Sequence, residues 1–268
     1  MTIRSVLMFC VLASVAGAQA LTPYEQANLE KNRAWVDSRD RVGQEGDIGV
    51  FADAGVWHAG AQALVGSLEG GGTRCRVLLA PSLTRARLSG LRVLLLPGGY
   101  APYQWGAAGQ SGLDAIREFA EGGGTVVGIC AGAYLISKTV RYDGIEYPYP
   151  LGLFDGVAQG PVPGLAAYPQ VGPASLQPTK AGRDLGLGAL EGRRYAYGGG
   201  PCFVGGTGVE VLATYADGSA AVVRRTVGKG RIVATGVHFE RPAPEDGDVE
   251  TAPPPDEADE IYRALMGR

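Results

Sequence analysis

Short apolar runs alternate with helix-forming segments along the first half of the chain. Four runs of Val, Leu and Ile have the length of buried strands, and each leads into turn or helix-forming sequence: 47–52, 74–80, 91–96 and 125–129. Segments 58–69 and 111–121 between them are helical in composition, and each ends at glycine. This alternation predicts βαβ units around a mostly parallel central sheet.

The second half of the chain loses this regular alternation. Residues 138–206 are rich in Pro, Gly and Tyr, which predicts a β-rich insertion of short strands and turns. Beyond it the pattern predicts, in order, the two strands of a hairpin, one more core strand, an acidic proline-rich loop and a last helix: 209–214, 219–227, 231–236, 242–257 and 258–266.

The first twenty residues have the pattern of a secretory signal. Arg4 precedes an apolar run from Val6 to Val15, and Ala18-Gln19-Ala20 has the small-x-small form that signal peptidase cuts. The alternative, an N-terminal membrane anchor, is disfavoured because a spanning helix needs roughly 20 apolar residues. We therefore predict a signal peptide at 1–20, export to the periplasm or beyond, and no membrane partner after cleavage.

Composition narrows the choice of partner. With 43 Gly among 268 residues and 46% hydrophobic residues, the chain is globular and glycine-rich rather than disordered. Its net charge of -3 offers no basic surface for a phosphate backbone, so no nucleic-acid partner is expected. The partner we expect, from the candidate chemistry described below, is a small-molecule substrate or ligand. Beyond the signal, we predict a helical extension at 21–46 and one α/β domain at 47–268.

Cys130 lies where the fourth apolar strand meets a helix. Gly128-Ile129-Cys130-Ala131-Gly132 has the small-x-nucleophile-x-small form of a nucleophile elbow, in which glycines permit a tight turn that presents the middle side chain. The helix N-terminus favours a thiolate there, and the Ala131 amide is placed to donate to an oxyanion. The alternative is a small buried cysteine in a tight turn.

Two histidines, His58 and His238, are available to activate this thiol. His238 and Glu240 stand two apart in extended sequence after the last core strand, so they point the same way and Glu240 can orient the imidazole. The alternative is a surface pair at a strand end. His58 begins a helix, where a structural or pocket-lining position is expected.

After the third strand, the Gly99 amide is predicted to complete an oxyanion hole. The alternative is an ordinary turn.

Three segments resemble a known superfamily. They are Leu96-Pro97-Gly98-Gly99-Tyr100, Gly128-Ile129-Cys130-Ala131-Gly132-Ala133-Tyr134 and Pro150-Leu151-Gly152-Leu153-Phe154. With His238-x-Glu240, they look like a class I glutamine-amidotransferase-like domain, and most resemble the N-terminal domain of fungal biotin-protein ligases, which also occurs alone in bacterial proteins. The resemblance covers roughly residues 47–240. It implies a flavodoxin-like three-layer sandwich.

The resemblance also implies residue roles. Cys130 would be the nucleophile, His238 the general base and acid, and Glu240 the carboxylate that orients His238. The residues implied in oxyanion and substrate binding are Gly98, Gly99, Tyr100, Ala131 and Tyr134. Two departures matter, because Tyr134 stands where amidotransferases have a glutamine-contacting Gln, and Ala131 stands where PfpI-type proteases have His. Both glutamine and the PfpI-type variant are therefore disfavoured.

Two functions are carried forward. The first is an exported stand-alone cysteine hydrolase acting on a small amide or ester, because no synthetase domain is visible and export would remove the chain from cytosolic biosynthesis. The second is a catalytically inactive small-molecule binding module with an aromatic pocket formed by Tyr100, Tyr103, Trp105 and Tyr134. Neither a phosphate-binding loop motif nor zinc-ligand spacing occurs, so we predict no cofactor and no metal.

The cysteine count leaves one pairing open. Cleavage after Ala20 leaves Cys75, Cys130 and Cys202, an odd number in an oxidising compartment. A Cys75–Cys202 disulfide would leave Cys130 as the free thiol, and the alternative is that both are buried thiols.

Overall fold

The computed structural model describes residues 20–267, which form one large sheet flanked by helices. The α-helices of this part are α1 (Pro23–Val42), α2 (His58–Gly70), α3 (Arg85–Leu88), α4 (Ala101–Glu121), α5 (Ala131–Leu135), α6 (Lys180–Asp184) and α7 (Ala258–Met266). The strands are β1 (Ile48–Phe51), β2 (Cys75–Leu78), β3 (Val93–Leu96), β4 (Thr125–Ile129), β5 (Ser137–Tyr142), β6 (Ile145–Pro148), β7 (Phe154–Gly160), β8 (Gly172–Pro178), β9 (Arg194–Tyr197), β10 (Cys202–Val204), β11 (Val209–Tyr215), β12 (Ala220–Val227), β13 (Gly230–Thr235) and β14 (His238–Pro242).

The centre of the sheet is parallel, with strand order β13-β4-β3-β1-β2. The register pairs Ile48 with both Cys75 and Val93, and Leu96 with Gly128. Strands β1, β3 and β4 are buried at every position, which explains why they are continuous apolar runs instead of alternating ones. The predicted α/β class with a mostly parallel central sheet is confirmed.

Alternate residues of these strands face two separate cores, which makes three layers. Val93 and Leu95 of β3 pack with α1, α2 and α7 on one face of the sheet. Leu94 and Leu96 of the same strand pack with α3, α4 and α5 on the other face. The predicted flavodoxin-like sandwich follows from this period of two, since each strand supplies apolar side chains to both helical layers.

Beyond β13 the sheet becomes antiparallel and continues as β12-β11-β8-β9-β14. The hairpin β11–β12 turns at Asp217-Gly218, where the Asp217 carboxylate accepts from the Ser219 amide at 2.9 Å. Strands β5, β6, β7 and β10 form an offshoot held by β12. Strands of the predicted β-rich insertion therefore belong to this antiparallel part of the sheet, which ends at β14, and to the offshoot at β12.

Three boundaries differ from the sequence prediction. Helix α4 begins at Ala101 instead of 111. It consists of two pieces that meet at Gly109, whose φ of 61° interrupts the helical pattern, and the sequence predicts only the second piece. Helix α5, for which the sequence predicts residues 131–137, ends at Leu135, since Ser137 already begins β5 and bonds back to the Ala133 carbonyl at 2.8 Å. Strand β14 was expected only as an extended segment, and its pairing with β9 gives it a fixed place in the sheet.

The extension α1 is attached to the loop between β1 and α2. The Asn28 side chain accepts from the His58 amide at 3.0 Å, and Asn32 donates to the Val56 carbonyl at 3.1 Å. The predicted signal peptide lies outside the described residues except for Ala20. In residues 20–267, no helix has the length and apolar character needed to cross a membrane.

The cysteines resolve the open pairing. Cys75 lies in β2 and Cys202 in β10, and both are buried. Cys202 is a free thiol, so the Cys75–Cys202 disulfide is not formed and the alternative of buried thiols is the one observed.

Candidate active site

Cys130 occupies a sharp turn between β4 and α5. Its φ of 50° and ψ of -104° are unusual for a residue other than glycine. The flanking glycines are required by close approach: a Cβ on Gly128 would lie 2.6 Å from the Gly132 carbonyl oxygen, and one on Gly132 would collide with the Leu96 carbonyl of β3. The turn therefore presents Cys130 at the carboxyl end of the parallel sheet.

His238 and Glu240 form a buried pair on β14. The His238 Nδ1 and Glu240 Oε1 atoms are 2.7 Å apart, and the two residues are 5% and 1% exposed. Their spacing of two along an extended strand puts both side chains on one face, as predicted from the sequence. The side chain of Cys130, from the turn after β4, lies close enough to His238 to affect the charge of the imidazole. The structure thus brings the three residues together.

The charges of this group reinforce one another. Burial by itself lowers the pKa of His238, but the Glu240 carboxylate and Cys130 outweigh it and raise that pKa to about 10. Burial acts to raise the pKa of Glu240, while His238 and the Tyr262 hydroxyl lower it below its ordinary value. At neutral pH this arrangement favours an imidazolium held between a carboxylate and the sulfur of Cys130.

The Pro97-Gly98-Gly99 turn lies against the imidazole. A Cβ on Gly98 would be 2.9 Å from His238 Nε2 and closer still to Cε1. The turn is fixed from both sides, since the Trp57 amide donates to the Gly98 carbonyl at 2.9 Å and the Tyr100 amide donates to the Gly55 carbonyl at 2.7 Å. Gly99 has a φ of 137°, a conformation that side-chain-bearing residues rarely adopt.

The two amides predicted to bind an oxyanion follow neighbouring strands of the sheet, β3 and β4. Ala131 is the first residue of α5, where an N–H has no helical carbonyl to bind. Gly99 follows β3, which lies next to β4 in the sheet. Within residues 20–267, neither the Ala131 N–H nor the Gly99 N–H donates to a backbone carbonyl. The part of these two amides in an oxyanion hole stays a prediction.

Tyr134 is engaged with the backbone of the insertion. Its buried hydroxyl donates to the Gly199 carbonyl at 2.8 Å. Tyr197 and Tyr215 donate to the next two carbonyls, those of Gly200 and Pro201, at 2.7 and 2.9 Å. Three hydroxyls thus hold three successive carbonyls of one glycine-rich loop, which gives Tyr134 a structural bond at the position predicted to contact substrate.

Each of the other predicted aromatic residues lies against a second aromatic ring, although Trp105 is 37% exposed. The rings of the half-buried Tyr100 and the buried Tyr103 are 4.9 Å apart, and Trp105 lies 5.3 Å from Tyr149. The Tyr103 hydroxyl donates to the Ala20 carbonyl at 3.0 Å. These contacts are ring pairs of the kind that stabilise aromatic packing.

His58 faces α1. Its Nδ1 is 2.8 Å from the Asn32 side-chain oxygen, and its ring meets Trp35 edge-on at 5.7 Å. Burial lowers the pKa of His58, with the Lys31 charge adding to the shift. The contacts favour the structural position, which is one of the two expected for this residue.

Two site residues were missed by the sequence analysis. Trp57 stands edge-on to His238 with ring centroids 5.3 Å apart, and its Nε1 donates to Glu250 at 3.0 Å, so the acidic loop reaches the site. The Tyr262 hydroxyl on α7 donates to Glu240 Oε2. No local pattern signals either contact, because Trp57 and Glu250 are 193 positions apart.

The described residues offer no metal centre. In the part of the chain from 20 to 267, no three His, Cys, Asp or Glu side chains are grouped so that they could hold a metal ion. The absence of a cofactor stays a prediction.

The comparisons with known proteins agree on the fold. A family model described as biotin-protein ligase, N terminal, matches residues 88–263. A glutamine amidotransferase crystal structure shares 23% identity, with 73% of this chain and 91% of that chain covered and a TM-score of 0.52. A Thermoplasma acidophilum protein described as belonging to a GMP synthase shares 15% identity, with coverages of 82% and 92% and a TM-score of 0.51.

A larger protein contains a similar fold. The β-galactosidase from Bacillus circulans sp. alkalophilus shares 18% identity and a TM-score of 0.50, and the match covers 83% of this chain but only 31% of that enzyme. No curated protein sequence matches the chain. At these identities the solved structures establish a shared fold and leave function to be argued from the site.

Proposed function

The chain belongs to the family of biotin-protein ligase N-terminal domains, and we propose that it is a stand-alone amidotransferase-like cysteine hydrolase that cleaves a small amide or ester. Its fold points to chemistry of the hydrolase or amidotransferase type. One observation carries the finer proposal: Cys130 sits in a positive-φ elbow close to a buried His238, whose Nδ1 lies 2.7 Å from Glu240 Oε1. Biotin ligation is not implied.

The proposed reaction has two steps. The Cys130 sulfur attacks the substrate carbonyl carbon, and the Gly99 and Ala131 amides donate to the oxygen that becomes negative. His238 gives its proton to the leaving amine or alcohol as the bond to that group breaks, which leaves a thioester on Cys130. Water then attacks the thioester carbonyl, His238 takes the water proton, and the carboxylic acid leaves as the cysteine is regenerated.

Two features support a small substrate other than glutamine. Cys130 is 6% exposed and His238 is 5% exposed, so only a narrow approach reaches the reacting atoms. Tyr134 stands at the position of the amidotransferase Gln, and its hydroxyl is bound to Gly199 instead of facing a ligand.

We also propose export, which rests on the secretory pattern of the first twenty residues.

Thiol reactivity tests the proposal without knowledge of the substrate. We expect His238→Ala to slow iodoacetamide labelling of Cys130 at pH 7 by about tenfold or more, because the thiolate is the reacting form and an imidazolium beside the sulfur stabilises it. Labelling is followed by peptide mapping, with the buried Cys75 and Cys202 as internal references.

His58→Gln is the matched control, since His58 bonds Asn32 on α1. We expect its labelling rate to stay within about threefold of the unsubstituted protein. Equal labelling rates with and without His238 would overturn the hydrolase proposal and favour the catalytically inactive binding module.

A further inference from the structure

Both oxygens of the Glu240 carboxylate are occupied. Oε1 lies 2.7 Å from His238 Nδ1, and Oε2 accepts a hydrogen bond from the Tyr262 hydroxyl. Tyr262 belongs to α7, which packs across β14, and it is fully buried while Glu240 is 1% exposed. The hydrogen bonds therefore run in series from α7 through the carboxylate to the imidazole, which lies close to Cys130.

The Tyr262 bond matters because Glu240 is buried. A carboxylate oxygen without a donor in such a place is strongly disfavoured, so loss of one donor destabilises the charged form. Burial and the Glu240 charge keep the pKa of Tyr262 well above its ordinary value, so its hydroxyl remains a donor throughout the working range of pH. The ionisable groups that face Glu240 are His238, Tyr262 and, through its charge, Arg241.

Geometry adds a second effect. A carboxylate held at one oxygen only can rotate about its last side-chain bond, whereas a donor at each oxygen fixes its plane. With Oε2 fixed by Tyr262, Oε1 stays directed at His238 Nδ1. The imidazole is thereby held with its other nitrogen, Nε2, on the side away from Glu240. Placement of a catalytic imidazole to within a fraction of an ångström carries large rate effects.

We propose that Tyr262 is a positioning residue for the Cys130–His238–Glu240 site, acting through Glu240 to hold the His238 imidazole in place. The proposal rests on the proposed function for its effect on turnover, and on the contacts alone for its effect on His238. It also ties α7 to the reaction, a role that the sequence did not indicate for this helix.

Tyr195 provides a matched control on the same aromatic cluster. Phe239 lies edge-on to both tyrosines, with ring centroids 5.1 Å from Tyr195 and 6.0 Å from Tyr262. Both tyrosines are fully buried, but the Tyr195 hydroxyl bonds Glu257 at 3.1 Å instead of Glu240. Tyr195→Phe therefore removes a buried hydroxyl from the same surroundings and leaves the Glu240 carboxylate with both its donors.

The first readout is independent of turnover. We expect the hydrogen-bonded Nδ1 proton of His238 to give a low-field NMR resonance in the unsubstituted protein and in Tyr195→Phe, and to lose it in Tyr262→Phe. We also expect a plot of the Cys130 alkylation rate against pH to begin its rise at a higher pH in Tyr262→Phe alone. The reason is that Glu240 takes up a proton more readily without its donor.

The second readout is kinetic. With p-nitrophenyl acetate as the probe, Tyr262→Phe should lower kcat by about 10- to 100-fold with little change in KM, while Tyr195→Phe should leave both nearly unchanged. If both variants lose thermal stability alike but keep the resonance, the profile and kcat, Tyr262 only packs and the proposal is overturned. If the unsubstituted protein shows no turnover, the hydrolase proposal fails, and the resonance and profile still decide the role of Tyr262.

Discussion

Replacing Cys130 with alanine is expected to reduce hydrolysis of p-nitrophenyl acetate to the rate of buffer alone, a loss of about 1000-fold or more. The reason is that the proposed reaction proceeds through a thioester on this sulfur, and no other group at the elbow can replace it. The Gly99 and Ala131 amides would still be present in Cys130→Ala, so the variant isolates the contribution of the nucleophile.

The matched control for this variant is Cys202→Ser. Cys202 is also a buried free thiol, but it lies in β10 of the insertion, where the proposed reaction gives it no part. We expect Cys202→Ser to keep its activity per folded molecule, as judged by circular dichroism and active-site labelling. Retention of more than about a tenth of the activity in Cys130→Ala would remove Cys130 from the mechanism.

Gly98→Ala is expected to lower kcat by about 100-fold without removing any reacting group. The added methyl would lie 2.9 Å from His238 Nε2 and nearer still to Cε1, and neither partner can withdraw. The turn is bound to the loop after β1 through the Trp57 amide, and the imidazole is held by Glu240 at 2.7 Å with Trp57 edge-on to it. The ring must therefore leave its place beside Cys130.

The same collision should affect stability. Overpacking of a rigid site costs about 1–3 kcal/mol, so we expect a lower Tm for Gly98→Ala. Gly66→Ala is the control, because Gly66 is exposed on α2 and a Cβ there meets no atom within 4 Å. That change should raise the stability by about 0.5–1 kcal/mol. Unchanged kcat in Gly98→Ala would show that the position of His238 does not limit the reaction.

The parts of the site that were predictable from sequence are those set by local rules. The elbow at Cys130 follows from small residues on either side of a nucleophile between a strand and a helix, and the structure has the sharp turn there. His238 and Glu240 share a face because extended backbone alternates with a period of two. The buried parallel strands follow from continuous apolar runs.

The parts that were not predictable depend on contacts between distant segments. Trp57 reaches Glu250 across 193 positions, and Tyr262 reaches Glu240 only because α7 packs on β14. The first piece of α4 was hidden by Gly106 and Gly109, which sequence rules count against a helix. The bond of Tyr134 to Gly199 exists because the insertion folds back over α5, and no spacing of residues encodes that return.

The most direct test of the central claim is to trap the thioester. The protein is mixed with p-nitrophenyl acetate, quenched in acid within the first turnover and analysed by intact mass and peptide mapping. The proposed mechanism predicts one acetyl group per molecule on the Cys130 peptide, which is absent in Cys130→Ala and strongly reduced in His238→Ala. Acetylation confined to lysines or to another cysteine, or an acetyl group that forms on Cys130 equally fast without His238, would contradict it.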